Sequence, residues 1–313
     1  MMVFGEAERP LPGVGQILIK VAATSVNRPD LMQREGNYAP PKGESEILGL
    51  EAAGTVEAVG DDVTRWQAGD RVMALLGGGG YAEYALAYGD HAMAIPADMD
   101  YPQAACVCET YLTAYLNVFM IAGLKDDQTV LLHGGGGGVN TAAIQLCRRL
   151  TPRSTVIVTA SDIKVERVRE LGADEVINYQ RESFAEKVRE ITGKRGADVI
   201  LDHIGGPYLA PNLQCLGVGG TLMLIGVLGG RTAEFNLALV MVKRQRIIGS
   251  VLRSRPLAEK AAIIARFAET VLPLMADGAI TPLISEVYPL ARAADAHRTM
   301  ESSGHFGKIV LAV

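Results

Sequence analysis

The sequence predicts an α/β protein in which a doubly wound parallel sheet is joined to a smaller β-rich domain. From residue 106 onward, short apolar runs alternate with stretches of helical periodicity, a pattern typical of βαβ units. Residues 1–105 instead hold short strand-like runs separated by frequent glycines, which favours a domain with barrel-like curvature. The length of 313 residues also favours two domains. We therefore predict a first domain of residues 1–105 that residues 254–313 rejoin, and a second domain of residues 106–253.

The strand-like runs of the first domain are short. Residues 16–21 alternate apolar and polar side chains, as in a half-buried strand. A polar segment, residues 25–30, is broken by a proline, and glycines interrupt the strand-like residues 47–56. Residues 69–72 and 81–84 continue this pattern of short strands and frequent turns.

A glycine run marks the start of the parallel sheet. Residues 129–132 form a predicted buried strand, five glycines follow at residues 134–138, and helical periodicity then begins. A glycine turn that opens a helix is an anion site, because a diphosphate can approach the backbone N–H groups and the helix dipole favours its charge. Gly135 and Gly137 fill the first two glycine places of G-x-G-x-x-G, whereas Asn140 occupies the third. A flexible loop is the alternative.

The rest of the chain completes the sheet and then leaves it. Further strands are predicted at residues 155–160, 175–178, 199–202, 221–226 and 247–251. A helix at residues 162–171 ends at a glycine, and Ser183 with Glu186 forms a capping box that opens another helix. A long helix is predicted over residues 256–275, which Pro273 should kink or end early. The tail, with strand residues 287–288, helix residues 291–300 and strand residues 308–313, is expected to rejoin the first domain.

Composition and charge exclude several classes of protein. Hydrophobic residues make up 49% and charged residues 21%, as in ordinary globular proteins. The net charge of −5 does not favour binding to nucleic acids. No apolar run approaches the roughly 18 residues of a membrane span, and residues 1–10 lack the apolar core of a signal peptide. We therefore expect a cytoplasmic protein.

The four cysteines are expected to be buried, reduced thiols. They are Cys106, Cys108, Cys147 and Cys215. Only Cys106 and Cys108 are close in sequence, and C-x-C without a second pair or nearby histidines is a poor zinc pattern. Buried free cysteines are typical of a reducing compartment.

The end of the second strand bears on the choice of cofactor. An acidic residue there would bind the ribose 2′-hydroxyl of NAD, but this strand ends after Thr159 without a carboxylate. Ser161 and Lys164 follow, and Tyr179 ends the next strand, so a hydroxyl, an ammonium and an aromatic face could hold a 2′-phosphate. Asp162 would repel that phosphate unless it points away. The alternative for Lys164 is a solvated charge on a helix.

Motifs spread along nearly the whole chain resemble one family. They are N-R-P-D-L-M-Q-R at residues 27–34, G-L-E-A-A-G at 49–54, L-T-A at 112–114, L-R-S-R at 252–255 and G-K-I-V at 307–310. Together they resemble the zinc-free quinone oxidoreductases (zeta-crystallin-like) of the medium-chain dehydrogenase/reductase superfamily. The resemblance implies a GroES-like catalytic domain, a Rossmann domain, NADPH in the cleft between them and a homodimer. Residues 235–252 would supply edge strands that join two Rossmann sheets.

The resemblance also implies the site residues. Asn27, Asp30 and Tyr38 would be catalytic and line the nicotinamide and substrate pocket, and Thr113 would approach the nicotinamide. For Asp30 the alternative is a turn held by bonds from its side chain to the backbone. The other cofactor contacts would be Gly135, Gly137, Gly138, Val139, Thr159, Ser161, Lys164, Tyr179, Ile204, Gly205, Gly226, Val227, Leu228, Leu252 and Lys308.

The chain departs from its zinc-dependent relatives and, in two places, from the family pattern. Zinc alcohol dehydrogenases carry a Cys near the position of Asn27 and Gly-His-Glu where this chain has Leu50 between glycine and glutamate. No cysteine cluster lies between residues 71 and 100 for a structural zinc, so no metal is expected. Asn140 stands where the family usually has glycine, and the chain begins near the family's second or third strand.

These features predict an NADPH-dependent reductase that delivers hydride to a quinone. Reduction of α,β-unsaturated carbonyls or acyl thioesters is the nearest alternative, and a protein that binds NADPH without turnover is another. The sequence holds no compelling proton donor, which suits a quinone, since water can protonate its reduced oxygens. His133 is expected to be structural, whereas His203 lies at the carboxyl end of a strand, where a proton donor could act.

Overall fold

The structure is a computed structural model that describes residues 2–313. Two compact units are present. The first unit runs to Leu112 and includes Leu252–Val313, and the second unit is Thr113–Val251. Residues 106–112 thus belong to the first unit, so the change of unit lies later along the chain than residue 105.

Both units consist of short strands and helices. The strands are β1 (Gln16–Val26), β2 (Glu51–Val59), β3 (Arg71–Leu75), β4 (Tyr84–Tyr88), β5 (Ala92–Ala94), β6 (Thr129–His133), β7 (Thr155–Ala160), β8 (Glu175–Asn178), β9 (Ala197–Asp202), β10 (Leu216–Leu224), β11 (Arg246–Gly249), β12 (Ile284–Pro289) and β13 (Lys308–Ala312). The α-helices are α1 (Arg28–Arg34), α2 (Tyr101–Ala104), α3 (Thr110–Ala114), α4 (Gly138–Leu150), α5 (Val165–Glu170), α6 (Phe184–Ile191), α7 (Gly206–Cys215), α8 (Leu237–Lys243), α9 (Leu257–Thr270), α10 (Leu272–Ala276) and α11 (Ala293–Ser302). A π-helical segment, Tyr115–Ile121, continues α3.

The first unit is a largely antiparallel sheet organised on β1. Its strands lie in the order β12-β13-β1-β2-β3-β5, and β4 also pairs with β1. Ile17, Ile19 and Val21 on alternate positions of β1 are buried in the core, but Leu18 is 1% exposed as well, so this part of β1 is more buried than the half-buried strand that the sequence pattern predicts. The last strand, β13, pairs antiparallel with β1, with Ala312 opposite Ala23. The tail therefore rejoins the first unit.

The second unit is a six-stranded parallel sheet, which confirms the predicted doubly wound fold. The strand order is β11-β10-β9-β6-β7-β8, and all pairs are parallel. The order reverses between β6 and β9, and ligands of such sheets bind outside the carboxyl ends of the strands at this reversal. Leu131, Ile157 and Ile200 on the central strands are fully buried, so their apolar runs form the core.

The predicted long helix over residues 256–275 is two helices. Pro256 directly precedes α9, which ends at Thr270, and α10 starts at Leu272 with Pro273 in its first turn. A proline ring is compatible with the first turn of a helix but not with its interior, which explains the break. Among residues 2–313, no helix is both long enough and apolar enough to cross a bilayer.

Candidate functional site

The glycine run forms a tight turn between β6 and α4. β6 ends at His133, and Gly137 precedes the first residue of the 13-residue helix α4. Gly134 adopts φ +78°, a conformation that glycine tolerates best. A Cβ on Gly135 would lie 2.4 Å from Cγ1 of Val158, so a side chain cannot fit there. The turn therefore packs closely on its neighbouring strand and leaves backbone N–H groups at the helix N-terminus, as an anion site requires.

The side chain of Asn140 holds this turn by hydrogen bonds, although the family usually has glycine at this position. Its Nδ2 donates a hydrogen bond to the carbonyl oxygen of His133 and another, at 3.1 Å, to that of Gly134. Its side chain is buried. The departure from the glycine motif is thus accommodated, because the amide holds the two carbonyl groups from which the turn starts.

Lys164 lies beside the glycine turn. A Cβ on Gly136 would be 3.1 Å from Nζ of Lys164, so the ammonium reaches the backbone of the turn. Burial, with the charge of Arg167 second, lowers the pKa of Lys164. The carboxylate of Asp162 accepts hydrogen bonds from Asn178 Nδ2 (2.5 Å) and Arg181 Nη2, and the guanidinium of Arg181 partly offsets its charge. Cationic and neutral donors therefore offset the carboxylate that could have repelled a 2′-phosphate.

Two neighbouring loops, which follow β9 and β10, bring five of the predicted cofactor residues together. They are Ile204, Gly205, Gly226, Val227 and Leu228. The N–H of Leu228 donates to the carbonyl oxygen of His203 at 3.0 Å, and the N–H of Gly229 donates to that of Ile204 at 2.7 Å. The two segments run side by side at the carboxyl ends of β9 and β10, where a bound nucleotide is expected.

Thr159 and His133 face the interior of the second unit. Thr159 is 1% exposed, and its Oγ1 accepts a hydrogen bond from the N–H of Gly134 at 3.0 Å and lies 3.2 Å from Nδ1 of His133. The hydroxyl expected at the cofactor is instead engaged inside the protein. Burial lowers the pKa of His133 to about 3, so its ring is neutral and structural, as expected. Ser161 is partly exposed and Tyr179 is 43% exposed.

The first unit contains a buried polar cluster around Lys308. Its Nζ donates hydrogen bonds to Oδ1 of Asn27 (2.5 Å), the carbonyl oxygen of Val26 (3.1 Å) and Oε1 of Glu51 (3.1 Å). An ammonium has three hydrogens, and these partners account for all of them. Lys308, expected at the cofactor, is instead an internal charge partner of Glu51.

Glu51 is the other centre of this cluster, and nothing in the sequence predicts this role, although the residue lies within the motif at residues 49–54. Its Oε1 accepts hydrogen bonds from Ser25 Oγ (2.5 Å) and Asn27 Nδ2 (2.9 Å). Its Oε2 accepts one from the N–H of Glu109 at 2.8 Å. The carboxylate is completely buried and fully hydrogen-bonded, as a buried charge must be.

Asp30 is also completely buried, and its bonds fit the alternative of a turn held by its side chain. Oδ2 accepts from the N–H of Asn27 (2.8 Å) and from the Tyr81 hydroxyl (3.3 Å), and Oδ1 accepts from the N–H of Gly49 (3.0 Å). Burial raises the pKa of Asp30 to about 6. The side chains of Asn27 and Asp30 are therefore engaged in hydrogen bonds inside the first unit.

Tyr38 is the predicted catalytic residue with a partly exposed ring. The guanidinium carbon of Arg253 lies 5.3 Å from the centroid of this ring. Arg253 donates through Nε and Nη2 to the carbonyl oxygen of Gly77 (2.8 and 2.5 Å) and through Nη2 to Gln33 Oε1 (2.8 Å). This leaves Nη1 buried and without a hydrogen-bond partner among the residues that the structure describes. Arg253 lies within the L-R-S-R motif, so the resemblance could have drawn attention to it.

Glu109, Thr113 and Leu252 complete the account of the candidate residues. Oε2 of Glu109 is buried and has no hydrogen-bond partner in the described part of the chain. Burial, with the charge of Glu51 second, raises the pKa of Glu109 to about 8. No sequence pattern indicates this. Thr113 is partly exposed, and its carbonyl oxygen accepts from Asn117 Nδ2 at 2.7 Å. Leu252 is 6% exposed within the first unit. No group of three or more metal-ligating side chains is found within residues 2–313.

Comparisons with known proteins agree with this architecture. The family profile of the alcohol dehydrogenase GroES-like domain matches residues 13–97, and that of a zinc-binding dehydrogenase matches residues 171–311. The quinone oxidoreductase of Lama guanicoe is 35% identical over 305 residues, which cover 96% of this chain and 90% of that protein. That of Homo sapiens is 33% identical with the same coverage.

Solved structures give the same picture. A mycobacterial protein solved with NADPH superposes with a TM-score of 0.89 at 30% identity, covering 99% of this chain and 95% of the other. The JamJ enoyl reductase superposes with a TM-score of 0.88 at 25% identity, covering 99% and 94%. The chain therefore belongs to the quinone oxidoreductase family of the medium-chain dehydrogenase/reductase superfamily and is an NAD(P)H-dependent oxidoreductase.

Proposed function

We propose that this enzyme transfers hydride from NADPH to a quinone without zinc. The observation that carries the proposal is the Lys164 ammonium beside Gly136, in the turn that opens α4. A cation, backbone N–H groups and a helix N-terminus together favour the phosphates of a dinucleotide. The residues present thus fit the expected cofactor.

The preference for NADPH over NADH is supported by the surroundings of Lys164. β7 ends without a carboxylate facing that side, and the one nearby carboxylate, on Asp162, is bonded to Arg181 and Asn178. Ser161 and Tyr179 would complete the contacts to a 2′-phosphate. An acidic residue that prefers the free ribose hydroxyl of NAD is missing from this position.

The absence of a catalytic zinc is proposed from the chemistry of the buried cluster. Leu50 has no lone pair for a metal, and it stands where zinc alcohol dehydrogenases have histidine. Asn27 and Glu51 bind the Lys308 ammonium instead. A cation already fixed between these side chains disfavours a second one at the same place. Stoichiometric zinc in the purified enzyme, lost together with activity on chelation, would contradict this part of the proposal.

In such an enzyme the nicotinamide supplies the hydride, and the protein orients the reactants and excludes water. We propose that the ring of Tyr38 covers the flat acceptor while its hydroxyl binds a carbonyl oxygen. Gly135, Gly137, Gly138 and Val139 would hold the diphosphate, and Thr113 would approach the nicotinamide. Reduction of a quinone needs no protein acid, because water can protonate the oxygens of the product.

Reduction of α,β-unsaturated carbonyls or acyl thioesters is the second candidate, favoured by the similarity to the JamJ enoyl reductase. Steady-state oxidation of NADPH with a panel of quinones, enones and acyl thioesters separates the two. Turnover of quinones supports the proposal, and turnover of enones or thioesters alone favours the second candidate. Binding of NADPH without any turnover would indicate a protein that only binds the cofactor.

We further propose a homodimer formed through the edge of the second sheet. β11 is an edge strand, so one of its sides has no partner strand within residues 2–313. Leu237, Met241 and Val242 on the adjacent α8 are 70–73% exposed. Apolar side chains beside a free strand edge favour pairing with a second copy.

A cytoplasmic location is proposed from the four buried cysteines, none of which forms a disulfide.

A further inference from the structure

Four buried side chains of the second unit form a continuous chain of hydrogen bonds. Asn212, on α7, donates through Nδ2 to Oδ2 of Asp202 at 3.0 Å. Its Oδ1 lies 2.7 Å from Nε2 of His133. Because an amide oxygen can only accept, Nε2 of His133 must carry the ring proton.

This assignment fixes the direction of the remaining bonds. Since burial keeps the ring of His133 neutral, Nδ1 is an acceptor and takes the hydroxyl hydrogen of Thr159, 3.2 Å away. Oγ1 of Thr159 in turn accepts from the N–H of Gly134 at 3.0 Å. At the opposite end, Oδ1 of Asp202 accepts from the N–H groups of the next loop. These belong to Ile204 (2.6 Å) and Gly205 (3.2 Å).

The chain of bonds crosses the carboxyl ends of three adjacent strands. Thr159 is on β7, His133 ends β6 and Asp202 ends β9, which are neighbours where the strand order reverses. These three side chains and that of Asn212 are at most 1% exposed, so water does not compete for their bonds. The rings of Phe184 and Tyr208 pack against His133, with centroids 4.7 and 4.8 Å away.

We propose that His133 and Asn212 are positioning residues for the cofactor, which hold the glycine turn and the loop at Ile204 and Gly205 at a fixed spacing. The inference rests on the proposed function, in which one dinucleotide contacts both loops. The strands alone fix where each loop begins, but the hydrogen bonds couple the backbone N–H of Gly134 to those of the second loop. A cofactor that must touch both loops then meets a preorganised site.

The continuity of the chain of bonds has a spectroscopic test in Asp202→Asn. Oδ1 of the new side chain must still accept from the two backbone N–H groups, so its amide nitrogen faces Nδ2 of Asn212. Asn212 then has to turn over, which presents a donor to His133 and moves the ring proton from Nε2 to Nδ1. Nitrogen-15 NMR of the histidine rings distinguishes the two tautomers. A His133 ring that keeps its proton on Nε2 in this variant would overturn the proposal.

The effect on the cofactor is tested with two matched threonine variants. Thr159→Val removes one member of the chain of hydrogen bonds. Thr192→Val removes a buried hydroxyl elsewhere in the second unit, where Thr192 Oγ1 donates to the carbonyl oxygen of Val188 at 2.7 Å. We expect Thr159→Val to raise the Kd for NADPH about tenfold and Thr192→Val to leave it unchanged. Equal Kd values for Thr159→Val and wild type would contradict the proposal.

Variants of His133 separate positioning from packing. His133→Phe keeps a ring against Phe184 and Tyr208 but cannot donate a hydrogen bond to Asn212. We expect it to weaken the binding of NADPH as much as Thr159→Val does. His133→Gln restores an N–H near the place of Nε2 and should recover part of the affinity. Two variants that bind equally would indicate packing alone. If wild type itself binds no NADPH, the proposed function fails with the positioning role, while the tautomer experiment still reports whether the chain of bonds exists.

Discussion

The Lys308 ammonium lies 3.1 Å from Oε1 of Glu51 in the interior of the first unit, with 4% and 0% of the two side chains exposed. Desolvating two charges is unfavourable, and it is offset only when every remaining donor and acceptor is bonded. Here Asn27, Ser25, the carbonyl oxygen of Val26 and the N–H of Glu109 satisfy those groups. The cluster is stable as a whole and sensitive to the loss of any one member.

Removal of the Lys308 charge should strongly destabilise the protein. Lys308→Met leaves the Glu51 carboxylate buried and uncompensated, so we expect a loss of about 3–5 kcal/mol in the free energy of unfolding. Urea denaturation measures this loss. The exposed pair of Arg9 and Glu57, 2.8 Å apart, is the control, because Arg9→Met should cost little. Similar losses for the two variants would show that the cluster is not a buried ion pair in solution.

The pH dependence of stability should reveal Glu109. Its pKa is raised in the folded state to about 8 from 4.5, so folding is favoured with the proton bound. This contribution is fully present below about pH 4.5 and is lost as the pH rises through 8. Glu109→Gln should therefore gain stability relative to wild type between pH 5 and 9. Thermal unfolding across this range checks it, with the exposed Glu83→Gln as control. A difference in stability between Glu109→Gln and wild type that does not change with pH would contradict the raised pKa of Glu109.

Lys164 should discriminate between the two nicotinamide cofactors. A charge-assisted bond to a phosphate is worth about 1.5–3 kcal/mol, so Lys164→Ala should raise the Kd for NADPH about ten- to a hundredfold and that for NADH much less. Fluorescence titration of both cofactors measures the change. Lys187→Ala, which removes a partly exposed lysine of α6, is the matched control. Equal affinity of the wild type for the two cofactors would refute the proposed preference.

Tyr38 should affect the acceptor rather than the cofactor. Loss of its ring and hydroxyl removes a stacking surface and one hydrogen bond, and we expect kcat/KM for quinones to fall about tenfold in Tyr38→Ala. The Kd for NADPH should stay nearly constant. Tyr84→Ala removes another ring of the first unit, over which Arg9 lies at 4.1 Å, and should leave turnover unchanged. An unaltered kcat/KM across several quinones would place the acceptor elsewhere.

The proposed dimer predicts that a charge on α8 separates the subunits. Met241→Glu places a carboxylate on the exposed apolar face, where burial against a second copy would be unfavourable. Light scattering at micromolar concentration should report twice the chain mass for wild type and the chain mass for this variant. Val218→Glu changes another exposed apolar residue and should remain dimeric. A monomeric wild type would contradict the proposal.

The parts of the fold that depend on neighbouring residues could be predicted from the sequence. The runs that became β7 and β8 are apolar and bounded by turn residues, and their predicted bounds match the structure. The glycine turn likewise carries its own local signal. α7 has no counterpart among the predicted elements, because Pro207 and Pro211 obscure its helical pattern. The sequence therefore does not predict a role for Asn212.

The polar clusters could not be predicted, because their members meet only through long-range pairing. Lys308 and Glu51 are 257 residues apart and come together because β13 and β2 both pair with β1. The motifs that contain these residues indicated the family, but not that the two side chains bind each other. Asp30 shows the same limit, since its spacing suits a pocket residue and a turn residue equally well.

The pairing of β13 with β1 also determines when each unit can be completed during synthesis. Strand β1 leaves the ribosome early and can pair with β2 and β4, yet its residues 23–26 lack their partners on β13 until residues 308–312 have been made. The second unit is one continuous segment, so all its strands are available once residue 251 has emerged. The first unit, which contains the residues that are translated first, is therefore the last whose sheet can be completed. The buried carboxylate of Glu51 cannot pair with Lys308 until residue 308 has been made.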